Sequence, residues 1–410
     1  MTPLITNDAV VLGLLAAILG FVFWSESHPH RFWRGFYKYV PALLLCYFIP
    51  ALFNTAGVID GEHSKLYFVA SRYLLPATLI LLTLMMDIPA ILRLGPKALI
   101  MFFTGTIGVL IGGPLAILIW SFFSPETVGG EMWRGFTAIA GSWIGGGANQ
   151  AAMKEVFQID NDIFGSMVAV DVIVANLWMA FLLYLAGRSE ELDRKRGADT
   201  TALVALRKSV EQFDKDNARI PKLPDLVFIA ALGFGFTGLS HALAGPLVAF
   251  FKAQGKWAEQ VSLTSEFFWI VVLATTFGLL LSLTRARKLE GAGASKVGSL
   301  MLYVLVASIG MQMNLHAIVE QPLLFGVGAT WILIHGTLML TVMHLIKAPI
   351  FYMAVGSQAN IGGAASAPVV ASAFHPALAP VGVLLAVLGY ALGTYGGWVC
   401  GQLMRLAAPS

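Results

Sequence analysis

Cysteine and charge are both scarce in this chain of 410 residues. It has only two cysteines, Cys46 and Cys400, and both lie in apolar segments, which indicates small interior residues rather than a disulfide framework or a metal site. Only 12% of the residues are Asp, Glu, Lys or Arg, about half the fraction found in soluble domains. The formal net charge of +3 is small and spread over loops, so the composition argues against a nucleic-acid-binding protein.

The motifs of several enzyme classes are missing from the sequence. There is no phosphate-binding P-loop, no HExxH zinc motif and no pair of aspartates of the intramembrane-protease kind. The stretch GSWIGGG does not match GxSxG, because Ser142 follows the first glycine directly. We therefore expect neither an enzyme nor a bound cofactor. The N-terminal MTPLITNDAVVLGLL lacks a basic region ahead of its apolar part, so we expect a retained first helix rather than a cleaved signal.

Apolar residues dominate instead, at 57% of the chain with a mean hydropathy of +0.77. Uncharged apolar runs at 98–123, 226–246 and 267–284 approach or exceed the roughly 18–20 residues that span a bilayer. The sequence predicts an all-α polytopic protein of a bacterial cytoplasmic (inner) membrane, with eleven or twelve transmembrane helices. Candidate spans lie near 8–25, 38–55, 66–86, 98–122, 134–153, 162–187, 224–251, 266–284, 296–316, 322–346, 349–373 and 377–403.

One glycine-rich phrase occurs twice in this apolar sequence. Residues 141–152 read GSWIGGGANQAA, and residues 356–368 read GSQANIGGAASAP. The preceding landmarks MMDIPAIL (85–92) and QMNLHAIV (312–319) also resemble each other. Glycines alone could serve close helix packing. The accompanying carboxamides favour two discontinuous helices, in two structural repeats, that cross at the binding site of a transporter.

The repeat divides the chain into halves joined by a hydrophilic linker. We expect a first half at 1–187 with a core part at about 98–187, a solvated linker at 188–222, and a second half at 223–410 with a core part at about 322–404. The middle of the linker, 202–213, has the pattern of a short amphipathic helix.

Helix parity conflicts with inversion of the two repeats. Basic loops at 28–38, 93–97 and 285–296 favour a cytoplasmic position for all three. Inverted repeats require an odd number of crossings between equivalent helices, whereas the candidate spans give six steps from the fifth to the eleventh. We expect that segment 226–251, interrupted by GLSHALAGP, is partly interfacial. Parallel repeats are the alternative.

Asp171 is the single residue that most strongly indicates function. It lies inside an otherwise apolar segment, where a carboxylate costs at least about 2.5–3.5 kcal/mol to insert. The functional hypothesis is a cation ligand or proton carrier, with Asn176 as a partner. The structural alternative is a neutral, hydrogen-bonded aspartic acid, or one paired with Arg72.

The polar residues of the two glycine-rich phrases form the candidate binding site. Unwound backbone and carboxamide or hydroxyl oxygens can hold sodium with little charge, while exposed helix N-termini favour an anionic substrate group. The predicted substrate-binding residues are Ser142, Gly145, Gly146, Asn149, Gln150, Glu155, Ser357, Gln358 and Asn360. The candidate sodium ligands are Asp171, Asn149, Gln150, Gln358 and Asn360. Ordinary interhelical hydrogen bonding is the alternative.

The other polar residues carry weaker predictions. Lys154 and Glu155 follow the first phrase directly and are either a gate and substrate contact or the polar end of a helix. Asp87 and Asn314 occupy equivalent helix ends, where a structural role is favoured. The scattered histidines have no metal-ligand spacing and are interpreted as packed or interfacial: His241, His335 and His344.

The sequence resembles a family of uncharacterised bacterial membrane proteins, the YjcL-like group. The resemblance lies in the string GSWIGGGAN, in Lys154-Glu155 after it, and in Asp171 within VAVDVIVANLW. The resemblance covers nearly the whole chain. It implies membership in the superfamily of cation:proton antiporters and bile-acid:sodium symporters, with a core of crossed discontinuous helices that moves against a scaffold. It also implies that the scaffold carries the contact of a homodimer. Antiporters of that superfamily often have two acidic residues, or Asn-Asp, where this chain has Val170 before Asp171, so the departure favours symport.

Together these observations predict a secondary active transporter for sodium-coupled symport of a small organic solute, including an anionic one, by an elevator or rocking mechanism. Cation:proton antiport through Asp171 is the alternative. A non-transporting membrane sensor or assembly partner is a third hypothesis. Bile-acid-like anions, other carboxylates, amino acids, sugars and cell-wall fragments all remain open as substrates.

Overall fold

The computed structural model describes residues 3–409 except 38, 39, 41, 62, 199–219, 261, 262, 314–320, 376 and 377. Throughout these residues the regular elements are helices. In addition, Ile5 and Ile59 form one isolated β-bridge. The helices are α1 (Asp8–Ser27), α2 (Arg31–Tyr37), α3 (Ala42–Thr55), α4 (Leu66–Leu84), α5 (Ile88–Arg93), α6 (Pro96–Phe123), α7 (Pro125–Val128), α8 (Met132–Val156), α9 (Asn161–Ala186), α10 (Ser189–Arg196), α11 (Leu223–Lys252), α12 (Lys256–Gln260), α13 (Glu266–Ser282), α14 (Ala294–Gly310), α15 (Leu323–Leu345), α16 (Ile350–Ile361), α17 (Gly363–Phe374) and α18 (Ala379–Ala407).

Seven of the described helices are long and apolar enough to cross a membrane, namely α1, α4, α6, α9, α11, α15 and α18. The prediction of an all-α polytopic membrane protein is therefore confirmed. Segment 226–251 lies within α11, a single helix of 30 residues that carries Pro246 without ending and is long enough to cross a membrane; its partly interfacial position stays a prediction. Both cysteines are buried, in agreement with their interpretation as interior residues.

The predicted span at 134–153 does not cross the bundle, because α8 reverses direction at Gly145 and Gly146. Phe157 follows Arg134 by 23 residues, yet Arg134 Nη1 donates a hydrogen bond of 3.2 Å to the Phe157 carbonyl. The rings of Trp133 and Phe157 are 5.8 Å apart. A straight helix of that length would separate these residues by about 35 Å. We call residues 132–156 hairpin 1, with a first arm before the glycines and a second arm after them.

The predicted span at 349–373 is a second helical hairpin. Its arms are α16 and α17, which are joined at Gly362 and Gly363. The rings of Phe351 and Phe374, at the two ends of the hairpin, lie 5.3 Å apart. Two discontinuous helices that cross were therefore the wrong expectation. The glycines are present at the predicted breaks, but each break turns the chain back; we call residues 350–374 hairpin 2.

The two hairpins enter the helix bundle from opposite ends. Helix α9 begins next to the base of hairpin 1, where Asp160 caps its first turn, and its 26 residues extend about 39 Å. After α9 ends, Asp193 of α10 accepts a hydrogen bond of 3.0 Å from the Ile350 amide at the base of hairpin 2. The start of the predicted linker thus contacts hairpin 2 through Asp193, while Glu190, Glu191, Arg194 and Lys195 of the same helix are exposed. Its amphipathic segment, 202–213, lies outside the described residues.

Because the two glycine-rich segments are re-entrant hairpins and not spans, the conflict between the helix count and inverted repeats disappears. Five described helices of 17 or more residues separate the hairpins, namely α9, α11, α13, α14 and α15. Of these, α9, α11 and α15 are long enough to cross a membrane alone, and α13 and α14 are a shorter pair; with or without that pair the number of passes is odd, which places the two hairpin bases at opposite ends, as observed. The error in the sequence-based count lay in treating the hairpins as spans.

Side-chain packing forms two large apolar clusters. One contains α6, the first arm of hairpin 1, α9, α15, hairpin 2 and α18. The other contains α1, α3, α4, α13 and α14, together with the second arm of hairpin 1. The second cluster also includes Ala138 of the first arm and residues of α9 and α18, so hairpin 1 lies between the two clusters. A functional division into core and scaffold stays a prediction.

Candidate functional site

The tips of the two hairpins touch each other inside the bundle. A Cβ atom built on Gly363 would lie 3.6 Å from Gly146 Cα and 3.7 Å from the ring of Tyr390. Gly146 and Gly363 have φ values of 71° and 57°, which L side chains rarely adopt. At Gly145, a Cβ would lie 2.7 Å from the Gly389 carbonyl oxygen. Glycine is therefore required here both for chain reversal and for close backbone contact.

Each hairpin tip brings together two helix ends. The first arm ends there with carbonyl groups, and the second arm begins there with amides, that have no partner within their own helix. Two hairpins thus direct two partial negative and two partial positive ends toward one place. Irregular backbone at membrane depth persists only where protein or a wet cavity covers it. This arrangement can bind a cation and an anionic group side by side.

Asn149, on the second arm of hairpin 1, is clamped to α18. Its amide nitrogen donates to the Gly145 carbonyl at 2.8 Å and to the Tyr390 carbonyl at 3.1 Å. Its carbonyl oxygen accepts a hydrogen bond of 2.7 Å from the Thr394 hydroxyl. The side chain is completely buried, so these bonds hold the tip of hairpin 1 against α18.

Asn360, on the first arm of hairpin 2, forms the same kind of clamp with α6. It donates to the carbonyls of Gly356 and Phe102 at 2.9 and 3.0 Å, and it accepts from the Thr106 hydroxyl at 2.8 Å. In both clamps the threonine lies four residues beyond the residue that supplies the second carbonyl. Both asparagines therefore fix hairpin tips, and their polar atoms are occupied in this conformation.

The carboxamides are not at equivalent positions of the two hairpins. When the two sequences are aligned at their tips, with Gly146 opposite Gly363, Asn149 corresponds to Ser366 and Asn360 to Trp143. The two phrases share their glycines and their polar composition. Their side chains reach different helices because they lie on different arms.

Asp171 joins both arms of hairpin 1 to α9. Its carboxylate accepts hydrogen bonds from Ser142 Oγ at 2.6 Å, Trp143 Nε1 at 2.6 Å and Gln150 Nε2 at 2.7 Å. The Tyr47 hydroxyl donates to the other end of Gln150, at 3.3 Å. The structure therefore brings Asp171 together with Ser142 and Gln150 of the first glycine-rich phrase, while its role as a cation ligand stays a prediction.

Other expected partners of Asp171 are not brought to it. Asn176 donates to the Val172 carbonyl, and Arg72 lies 3.4 Å from Glu155. Within the described residues, no hydrogen bond connects Asp171 to Gln358 or Asn360, and no group of three or more His, Cys, Asp or Glu residues has metal-binding geometry. In this conformation Asp171 is a satisfied hydrogen-bond acceptor that fastens hairpin 1.

Hairpin 2 has a different polar environment. Ser357 Oγ accepts from Trp178 Nε1 at 2.8 Å and lies 2.8 Å from His335 Nε2. His335 is fully buried and also contacts the Gly105 carbonyl, in agreement with its interpretation as a packed histidine. Gln358 donates to Ser366 Oγ at 2.7 Å across the hairpin, but its buried Oε1 has no hydrogen-bond partner among the described residues. A buried acceptor without a donor is an unmet bonding capacity next to the tip.

Lys154 and Glu155 lie away from the tips, at the base of hairpin 1. Both border a cavity of about 1140 Å³ between hairpin 1, α4, α11, α13 and the end of α18. His241 also lines it and bonds the Arg72 carbonyl. Asp87 pairs with Arg287 at 2.9 Å, which supports its structural interpretation, and His344 is exposed. Asn314 lies outside the described residues.

Sequence reasoning missed two kinds of partner: Thr106, Trp178, Tyr390 and Thr394, which the opposite half supplies, and Tyr47 and Trp143, which come from the same half. A signal for the α18 partners was present. Glycines recur every four residues at 389, 393, 397 and 401, which is the small-residue pattern that permits close helix approach. Hairpin 1 packs on that row: Gly141 lies against Gly397, and Gly145 against Gly393.

Comparison with known proteins agrees with this membrane architecture. The uncharacterised membrane protein YjcL of Bacillus subtilis is 25% identical over 371 residues, which cover 86% of each chain. The characteristic sequence pattern of the family described as proteins of unknown function DUF819 matches residues 13–407. This chain is therefore a member of the DUF819 family.

Proposed function

We propose that this protein is a secondary active transporter that couples sodium to the uptake of a small organic solute by alternating access. The observation that carries the proposal is the contact between two opposed re-entrant hairpins whose glycine tips meet within the bundle. Broken helices that converge on one place are the form in which transporters expose helix ends to substrates and ions.

The order of elements supports two inverted repeats. Helix α6, hairpin 1 and α9 form one unit, and α15, hairpin 2 and α18 form the other. Because the hairpins enter from opposite ends, the second unit is upside down relative to the first. This core of hairpins replaces the crossed helices that the antiporter and bile-acid symporter resemblance implied, so we do not propose membership in that superfamily.

Charge gives the orientation. The loops at the hairpin 2 end contain Arg93, Lys97, Lys347 and the basic stretch 285–296. Positively charged loops favour the cytoplasm. Hairpin 2 therefore enters from the cytoplasm and hairpin 1 from outside, in the inner membrane of a bacterium. The scaffold helices would carry a homodimer contact.

Sodium would bind at the tip of hairpin 2. Gln358 Oε1 supplies a buried oxygen without a donor, and the end of α16 supplies carbonyl oxygens. Asp171 then acts as a positioning residue, because three donors already occupy its carboxylate. Asn149 and Asn360 hold the tips in place.

The test is thermal unfolding of the purified full-length protein against a panel of carboxylates, amino acids and sugars, with and without sodium. We expect stabilisation by one solute that appears only with sodium. The Gln358→Leu variant should lose the sodium effect, whereas Gln254→Leu, on the surface, should keep it. Sodium stabilisation that survives in Gln358→Leu would exclude the proposed ion site. Sodium-jump currents from proteoliposomes with the identified solute then test transport itself.

Cation:proton antiport is the second candidate, favoured by one observation. Asp171 is a buried carboxylate with no salt bridge in the described part of the chain. Antiport predicts a sodium-dependent pH change inside liposomes without any organic solute, and its loss in Asp171→Asn. Symport predicts no such pH change.

A further inference from the structure

The cavity at the base of hairpin 1 is lined by charged side chains of both signs. Its lining includes four basic side chains, Arg72, Arg134, Lys154 and Arg405, and three carboxylates, Glu155, Glu259 and Glu266. Glu266 lies in the first turn of α13, where the helix N-terminus offsets its charge. The cavity opens at the end of the bundle where hairpin 1 enters, which is the proposed outer face.

Lys154 is buried without a carboxylate partner. Its side chain is 5% exposed, and its Nζ donates a hydrogen bond of 2.7 Å to the Tyr67 hydroxyl. The ammonium lies 4.3 Å from the centre of the Tyr67 ring and 5.6 Å from that of Phe164. No salt bridge to Lys154 exists among the described residues. Aromatic faces and one hydroxyl hold the charge but do not neutralise it.

The carboxylate next to Lys154 in the chain, that of Glu155, already has two partners. The Tyr67 hydroxyl donates to Glu155, and Arg72 Nη2 lies 3.4 Å from the other oxygen of Glu155. Arg72 is itself in a π-helical turn of α4, at 70–74, a distortion that often marks functional sites. Lys154 and Arg72 are thus two cations joined through Tyr67 to one carboxylate. Glu266 also lies in the lining and acts on Arg72, so the cation that lacks a carboxylate at salt-bridge distance in the described part of the chain is Lys154, and its desolvated ammonium is costly unless an anion reaches it.

We propose that this cavity is an outward-facing binding site for an organic carboxylate, whose carboxyl group pairs with Lys154. Tyr67, Trp133 and Phe267 in the lining contact the apolar part of the solute. The inference rests on the proposed transport function and deepens it by naming anionic solutes and their side of entry. Lys154 is on the second arm of hairpin 1, about two helical turns beyond Gly146, so a solute held here contacts the hairpin that leads to the tips.

The experiment measures binding to the full-length protein in nanodiscs of zwitterionic lipid. The probes are succinate and benzoate, each matched by its neutral amide, succinamide or benzamide. We expect saturable binding of at least one carboxylate and none of its amide. Lys154→Met should weaken that binding tenfold or more, and Lys256→Met, an exposed lysine on the same face, should leave it unchanged.

A second measurement guards against a folding defect. Without ligand, Lys154→Met should unfold at a temperature equal to or above that of the wild type, because an uncompensated buried charge has been removed. If Lys154→Met does not fold, Lys154→Gln serves the same comparison. Failure of both carboxylates to bind the wild type, or equal binding to wild type and folded variant, would overturn the proposed site.

The outcome separates this site from the transport proposal. Sodium-driven flux of a neutral solute that survives Lys154→Met, without carboxylate binding, would refute the anion site and leave the transporter intact. Carboxylate binding that depends on Lys154, without sodium-driven currents, would establish the anion site and contradict transport.

Discussion

Gly393→Ala tests the close packing of hairpin 1 on α18 with the smallest available perturbation. A methyl group at this position would lie 2.5 Å from Asn149 Nδ2, 2.6 Å from Asn149 Cγ and 2.6 Å from Gly145 Cα. Ordinary contacts of a Cβ atom begin near 3.4 Å. Neither contact can yield by a rotamer change, because the Asn149 side chain is held by three hydrogen bonds and the Gly145 contact is with a backbone atom. The hairpin tip must therefore move by close to 1 Å.

The expected cost follows from two opposing effects. Overpacking of a well-packed interior costs about 1–3 kcal/mol. Replacement of glycine by alanine inside a helix contributes about 0.5–1 kcal/mol in the other direction. Gly393→Ala should thus lower the free energy of unfolding by roughly 1–2 kcal/mol. It should also reduce sodium-driven uptake, because the displaced residues form the tip.

Gly238→Ala is the matched control. Gly238 lies within α11, and nothing approaches within 4 Å of a methyl group built there. The same substitution should therefore stabilise the protein by about 0.5–1 kcal/mol without changing uptake. Reversible unfolding by SDS in mixed dodecylmaltoside micelles measures both variants against the wild type. If Gly393→Ala is as stable as Gly238→Ala and transports normally, the packing of hairpin 1 described above is wrong.

Two further predictions concern the clamp and the re-entrant path. Thr394→Val removes the donor to Asn149 Oδ1 and leaves a buried acceptor unsatisfied. The free energy of unfolding in the same assay should therefore be about 1–3 kcal/mol lower than that of the wild type. A wild-type value would show that the clamp contributes nothing. The re-entrant path is tested with single-cysteine variants at three exposed positions, Glu126, Asp162 and Lys195. Both native cysteines are buried. A membrane-impermeant maleimide on intact cells should label Glu126→Cys and Asp162→Cys but not Lys195→Cys; labelling of only one of the first two would mean that 132–156 crosses the membrane.

Several features of this protein follow from sequence alone. Scarce charge and long apolar runs require a lipid environment, since a chain of this composition cannot form a solvated surface. The glycines at 145–146 and 362–363 mark places where the helix cannot continue at low cost, and the structure breaks at both. A carboxylate in an apolar segment demanded polar partners, and Asp171 has three.

Other features depended on tertiary structure. A segment of about 25 apolar residues has the same hydropathy whether it crosses the bilayer or turns back halfway, so sequence could expose the parity conflict but could not resolve it. Only the packing of hairpin 1 on α18 and of hairpin 2 on α6 selects the reversed path. The donor that satisfies Asn149 is Thr394, 245 residues away in the chain. Composition therefore determined that polar groups are buried in a membrane, and the fold decided which of them meet, because hydrogen-bond partners are chosen by distance in space and not along the chain.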